Sequence, residues 1–463
     1  MLFAPLLLLP YSFDSQALSA YTSRVIEGSA PYLTYDNGRT KATTTADLLS
    51  ITLSDNRTFT PSNGSSATNP IVLPVAGQSF TDIHMMVPPS TNSVSLNDLV
   101  TSYHYWGDDD GDGQGANGVT ATGSLSVAIT DKNNRTVGRG TVLSLCHAPY
   151  RVVLSSSAGS LITQYGVPNS STFSGSSATY YITPPPSPTI CYARPNLIFG
   201  GQDTNTSTWD PTKGHLTQST DPASYNRNFP TTGADGLYFD LNIAGIDASQ
   251  LTWVPVTHEG ITATVTRVTA NDSWLPNGSE VVTRVTLTGP EARSQNYIVS
   301  YGSIGKPHLP ATFELVGRDS GGRAVIKYGF VLRMWFVHRG SVQENYQGHA
   351  IKPWCSSFGY RIPMSTELAG TRGKYGSISH RVIGGLFNEW GNVSHYGVGF
   401  SSGRYCTYNR TDSPRIYISP SGSISNTMLR SISNPNDCYA RRYPGGINLS
   451  GVCVYPTTYL SLQ

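Results

Sequence analysis

Residues 261–268 read ITATVTRV and residues 281–288 read VVTRVTLT, the second following the turn-forming pair Asn277-Gly278. Both runs are dense in Val, Ile and Thr. Such β-branched side chains are stiff at χ1 and pack well on a pleated, half-buried surface, so both predict short strands. The same grammar extends outward. Leu237, Phe239, Leu241 and Ile243 alternate cleanly, as do Leu125, Val127 and Ile129 between Ser124, Ser126, Ala128 and Thr130. After Thr130, Asp131-Lys-Asn-Asn134 supplies turn residues before a run from Val137 to Leu145, which predicts a hairpin. The most apolar stretch beyond the N-terminus, Val325 to Val337 (VIKYGFVLRMWFV), predicts a central strand or a pair of strands. Strands of this kind at sandwich-like spacing predict a mainly β protein.

Composition agrees. Of 463 residues only 13% are charged, against roughly 25% in an average soluble domain, while Gly numbers 46, Pro 30 and Tyr 27. A long helical or coiled-coil protein needs far more Glu, Lys and Ala than this chain carries. With 31 Lys plus Arg against 29 Asp plus Glu, the formal charge is +2, which provides no basic field for a phosphate backbone. Nucleic acid is therefore not an expected partner. No internal repeat of 20 to 50 residues is evident, which disfavours a solenoid or propeller.

The N-terminus, MLFAPLLLLPYSFDSQALSAY, is apolar from Leu2 to Pro10 and small from Ala17 to Ala20, although Arg24 is its first cationic side chain. It predicts a secretory signal peptide over 1–20, followed by an extended lead-in over 21–45. No other stretch is apolar for the 18 or so residues of a membrane span, so the chain is not expected to cross a membrane. Six cysteines, Cys146, Cys191, Cys355, Cys406, Cys438 and Cys453, form no C-x-x-C pair, which points to disulfides in an oxidising compartment rather than zinc. Six cysteines allow 15 pairings. Their distribution along the chain favours Cys146–Cys191, with Cys355–Cys453 and Cys406–Cys438 nested; free buried thiols are the alternative.

Thr183-Pro-Pro-Pro-Ser-Pro188 cannot continue a ladder, because proline offers no N–H, and a boundary is expected near Cys191 to Asn196. The expected organisation is a β-sandwich over 46–195, a second over 196–335, and a small α+β domain over 336–463. The last carries two short helices, near 349–356 and 365–369, the second preceded by Pro363.

Residues 327–340 (KYGFVLRMWFVHRG), 353–368 (PWCSSFGYRIPMSTEL), 385–392 (GLFNEWGN) and 451–456 (GVCVYP) together resemble the lectin-like end of enterobacterial surface adhesins. The similarity is to the SinI family of autotransporter-associated proteins and the RatA and RatB repeats, strongest over about 325–456 and weaker from about 46 to 325. It implies immunoglobulin-like β-sandwiches presenting a C-type-lectin-like domain, in which a cysteine on the first helix pairs with one near the chain end, here Cys355 with Cys453. It further implies a secreted or cell-surface adhesin working beside an inverse autotransporter. The Glu-Pro-Asn or Gln-Pro-Asp loop and the Trp-Asn-Asp strand of calcium-dependent sugar binding are missing. Glu389-Trp390-Gly391-Asn392 only echoes the latter, and Ser433-Asn-Pro-Asn-Asp437 lacks the leading side chain. A protein receptor is thus at least as well supported as a glycan.

Two groups of residues are candidates for binding. Asp108, Asp110 and Asp112, followed by Gly113, reproduce the first half of a calcium loop, but Val119 stands where the bidentate Glu belongs. The alternatives are a structural calcium site and a solvated acidic turn. In the last domain, Arg404, Tyr405, Tyr439, Arg441, Arg442 and Tyr443 combine contact area with polar tips on loop-like segments, as ligand anchors do. Trp390, His395, Tyr396 and Phe400 lie nearby, Trp390 reading as core. No H-x-x-x-H, H-E-x-x-H or G-x-S-x-G pattern occurs, and the glycine-rich 317–323 does not open a helix, so no enzyme is expected. The leading expectation is an adhesin with a host or cell-surface protein or glycan as ligand. The alternatives are a structural accessory of an outer-membrane inverse autotransporter, with no host ligand, and a secreted glycan-processing enzyme.

Overall fold

The structure is a computed structural model that describes residues 27–111, 118–198, 207–275, 278–292, 303–339, 351–369, 381–407, 417–418, 424–425 and 449–456. It is mainly β with a few short helices. The chain divides into two compact units, Met1–Pro185 and Pro186–Gln463. The expected signal segment and the start of the lead-in lie outside the described residues.

In the first unit, Ser124–Thr130 buries Leu125, Val127 and Ile129 on one face, as the alternation requires. It sits in a five-stranded sheet ordered Ile71–Val72, Ser176–Thr183, Tyr150–Ser156, Ser124–Thr130 and Ser93–Ser95. The turn after it forms as the side chains dictate: Asp131 Oδ1 accepts the Asn133 and Arg135 N–H groups at 2.8 and 2.9 Å, and Asn134 takes a φ of 60°. The expected hairpin to 137–145 does not develop. Beyond the Thr130–Thr136 bridge and the Val137 N–H bond to the Ile129 carbonyl, the chain leaves the ladder at Gly138-Arg-Gly140, and Leu143 bonds Gln78 instead. The strand's long partner is Tyr150–Ser156. A three-stranded sheet of Ser170–Phe173, Gly159–Ile162 and Thr120–Thr122 contributes Phe173, Leu161 and Ala121 to the same core.

The second unit is built on the hairpin of the opening stretch. Ile261–Ala270 pairs with Glu280–Thr288 from Thr262 opposite Thr288 to Ala270 opposite Glu280. The hairpin lies within a seven-stranded sheet ordered Trp209–Asp210, Gly214–Leu216, Thr189–Arg194, Tyr238–Ala244, Glu280–Thr288, Ile261–Ala270 and Val256–His258. The boundary expected near 195 therefore moves back into the proline run, because Ile190 to Ala193 are buried and pair with Tyr238–Ala244.

The apolar run 325–337 forms two strands. Ala324–Leu332 pairs with Ala311–Arg318; the Arg333 N–H then turns to the Thr231 carbonyl at 2.7 Å. Met334–His338 joins a different sheet, parallel to Thr232–Ala234 and antiparallel to Val452–Tyr455. The expected boundary at 335/336 thus falls inside a strand. All five residues of Met334–His338 are buried, and one hydrophobic core runs from Ile190 to Val454. Described residues on both sides of 335/336, from Ile190 to Leu332 and from Phe336 to Val454, share that core, because a run this apolar must be covered on both faces. Glycine lets Trp335 approach the backbone closely: a Cβ at Gly289 would stand 2.6 Å from its ring.

The two expected helices are present as Ile351–Ser357 and Ser365–Ala369, and a third, Leu386–Trp390, joins them. Cys355 and Cys453 are disulfide-bonded, tying the first helix to the closing strand. Cys146 and Cys191 are each disulfide-bonded and belong to different units. The Cys406–Cys438 expectation lies outside the described side chains. Among the described residues no helix is long and apolar enough to cross a membrane.

Candidate functional site

The acidic segment follows Trp106–Gly107, which pairs with Tyr32–Leu33. That pairing brings Asp109 to the Tyr32 hydroxyl, which donates to Oδ1 at 2.9 Å, and to Lys41 Nζ, which donates to Oδ2 at 2.5 Å. The Lys41 ammonium also lies 4.8 Å from the Tyr32 ring centre. The Lys41 hydrogen bond, then that of Tyr32, holds the Asp109 carboxyl below the usual carboxylate range, and Asp109 in turn raises Lys41. Asp110 accepts the Ser29 N–H, and Asp108 is buried. The segment thus pins the lead-in through Asp109, which lies between the alternate carboxylates that a calcium loop uses. Asp112 and Gly113 lie outside the described residues. Among those described, no group of three or more His, Cys, Asp or Glu side chains is placed to hold a metal.

The aromatic candidates of the second unit sort by burial. Tyr405 is fully buried, its hydroxyl donating to the Ser401 carbonyl at 2.9 Å and its ring set against Phe387 and Phe400. It is a core residue, not an exposed anchor: in Arg404–Cys406 the chain is a strand whose central side chain points into the apolar layer. Trp390, Tyr396 and Phe400 are buried too, while His395 is exposed. Arg404 lies on the same short strand. Tyr439, Arg441, Arg442 and Tyr443 lie outside the described residues.

Sequence reasoning missed the polar centre of this region. Glu389 is fully buried on Leu386–Trp390, yet its carboxylate accepts five donors. They are the N–H groups of Thr231, Thr232 and Gly384, at 3.0, 2.9 and 2.7 Å, and the hydroxyls of Thr231 and Thr232. Burial pushes this carboxyl up while the donors pull it down. His215 Nε2 lies 3.0 Å from the Glu389 carbonyl, with the imidazole stacked on Phe229 and edge-on to Trp209. Burial, then the Arg381 charge, pushes His215 down to about 3, so it is neutral at physiological pH. Arg381 donates to the carbonyls of Asn196 and Glu389 at 2.8 and 3.1 Å and covers the Trp209 ring. The cluster joins residues more than 150 positions apart and serves as a clamp. Its one sequence signal was a carboxylate inside the apolar run Gly385-Leu-Phe-Asn-Glu-Trp390.

No family model matches the chain. Over 201 residues, 41% of its length, it is 26% identical to the inverse autotransporter adhesin YeeJ of Escherichia coli K12, of which it spans only 6%. The homology is weak and partial. Among solved structures, invasin, titled a bacterial integrin-binding protein, is 15% identical over 74% of this chain and 52% of its own, with a TM-score of 0.31. The C-terminal 282-residue fragment of intimin, solved with the intimin-binding domain of the translocated intimin receptor, is 13% identical over 72% of this chain and 93% of its own, with a TM-score of 0.29. At these scores the overlays carry no argument.

Proposed function

We propose that this chain is part of a bacterial surface adhesin, exported and held outside the cell, whose C-terminal segment contacts a host or cell-surface protein or glycan. The observation that carries the reading is the homology to an inverse autotransporter adhesin over two fifths of the chain. Two further features support it. The β architecture with buried disulfides suits an oxidising exterior. The lectin-like resemblance of residues 325–456 falls on the stretch that the Cys355–Cys453 bond closes. The contact residues in this reading are Arg404, Tyr439, Arg441, Arg442 and Tyr443, since Tyr405 is interior. Recognition by a chain of such low net charge rests on shape and aromatic contact rather than long-range capture.

The test is saturable binding of the full, oxidised chain to a panel of cultured cells at micromolar concentration. Binding is expected, and a variant combining Arg441→Ala and Arg442→Ala is expected to weaken it at least tenfold. No binding to any cell type, with co-purification of the chain and an outer-membrane autotransporter, would replace the adhesin reading with that of a structural accessory.

A further inference from the structure

The seven-stranded sheet carries Ala193, Phe239, Leu241 and Val285 into the core on one face. Its other face bears charge. The strand register sets Arg194, Asp240 and Arg284 in one cross-strand row, with Tyr192 and Asn242 in the next. Arg194 donates to Glu280 and lies 3.6 Å from Asp240. Arg284 donates to Asp240 at 2.8 and 3.2 Å and to Asp272, which also takes the Tyr238 hydroxyl at 2.6 Å. These groups are largely withdrawn from solvent: the side chains of Asp240, Arg284 and Arg194 are 4%, 14% and 15% exposed.

A cavity of about 200 Å³ opens on this row, bounded by Arg194, Lys213, Asp240, Asn242, Ala248 and Glu280. Lys213 reaches it from the turn between Trp209–Asp210 and Gly214–Leu216, its ammonium 5.6 Å from the Tyr192 ring centre. Among the described residues it has no carboxylate partner. Asn242 is exposed and adds an amide that both donates and accepts.

We infer that this cavity is a binding site for one neutral, hexose-sized sugar ring. An anion placed there meets Asp240 and Glu280, and a cation meets Arg194 and Lys213. A neutral polyol meets acceptors and donors in alternation, of which Arg194, Asp240 and Glu280 are held in place by the ion network and need little ordering on binding. The volume matches the ligand. At about 30 Å³ per liquid water it equals some seven waters, and it falls below the roughly 300 Å³ at which drug-sized pockets begin. The cavity itself therefore holds about one ring. The site lies on the sheet and uses none of the C-terminal contact residues, so it stands whether or not the chain is an adhesin.

Saturation-transfer NMR on the full chain tests it, with glucose, galactose, mannose and N-acetylglucosamine as probes and glucuronate and glucosamine as charged controls. At least one neutral sugar should show transfer. Lys213→Ala and Asn242→Ala should each weaken its binding at least tenfold with unaltered near-ultraviolet circular dichroism; Asn242 is exposed, so its variant folds if the other does not. Transfer should survive Arg441→Ala with Arg442→Ala, which separates this site from the C-terminal reading. The inference is overturned by no transfer from any neutral sugar, by transfer from the charged sugars alone, or by transfer that both cavity variants leave unchanged.

Discussion

The two units solve the same problem, covering β-sheets with a core, by different means. In the first, the core is mostly aliphatic: among the described residues its fully buried aromatic members are Phe80, Tyr150, Phe173 and Tyr180. In the second, Trp209 and His215 crowd a core in which Trp335, Trp354, Trp390 and thirteen more aromatic side chains meet, and Glu389 and Arg381 are buried among them. Aliphatic side chains on alternating strands fill space without a required orientation. Large rings fit in few ways, and the second unit brings together segments as distant as Thr231 and Glu389. Buried polar groups then fix which arrangement wins, since a misplaced carboxylate or imidazole stands unpaired in an apolar medium.

The largest expected effect tests that contrast directly. Glu389→Ala removes the acceptor of five donors, four of them on the buried Thr231 and Thr232, and a buried donor costs about 1 to 3 kcal/mol when orphaned. Partial relaxation leaves an expected loss of about 4 kcal/mol, at the upper end for single substitutions. Six of the seven tryptophans, all but Trp106, lie in the second unit, so tryptophan fluorescence during urea unfolding reports it. Hydrogen exchange of Tyr150–Ser156 reports the first. A loss under 1 kcal/mol would remove the clamp, and equal losses in both units would break the contrast.

What sequence could reveal follows the same division. Strands with a local, period-two signature were legible: Ser124–Thr130, Tyr238–Ala244 and the hairpin Ile261–Ala270 with Glu280–Thr288. The short helices at 351 and 365 were legible from composition and Pro363. The route of the apolar run was not, because nothing local to Arg333 shows that the chain changes sheets there; the cause is Thr231, a hundred residues away. Tyr405 read as an anchor for the same reason. Tyrosine has an apolar body and a polar tip, and only the long-range fold decides whether that tip meets a ligand or, as here, the Ser401 carbonyl.

Acidification should separate the units next. His215 is held neutral and pushed down to about 3, whereas in the unfolded chain it takes a proton near the ordinary 6.5. A group depressed in the fold contributes stability that is present above 6.5 and lost as pH falls toward 3. Between pH 7 and pH 5 the loss is about 2 kcal/mol. Burial raises Glu389, which acts in the opposite sense: a carboxyl raised in the fold favours folding as pH falls. In His215→Gln the fall in stability should therefore vanish or reverse. Urea midpoints read by tryptophan fluorescence at pH 7 and pH 5 measure both. A fall of the same size in His215→Gln would show that another group carries it.

The smallest effect belongs to the first unit, where a single buried hydroxyl ties distant segments together. Tyr180 is buried, and its hydroxyl donates to the Leu49 carbonyl at 2.6 Å, with the Phe59 carbonyl at 3.3 Å. It thereby fixes the early segment around Ile51–Thr52 and Thr58–Phe59 to strand Ser176–Thr183. Burial pushes this phenol up, as expected for a group that stays a donor. Tyr180→Phe keeps the ring and its packing and removes one hydrogen bond, leaving carbonyls that tolerate partial satisfaction better than an orphaned N–H does. The expected loss is about 1 kcal/mol, read as faster hydrogen exchange in Tyr150–Ser156 with the tryptophan-reported transition unmoved. A loss near that of Glu389→Ala would mean that the aliphatic core depends on polar pins as much as the aromatic one. The difference between the two units would then lie in their side chains and not in how their arrangement is specified.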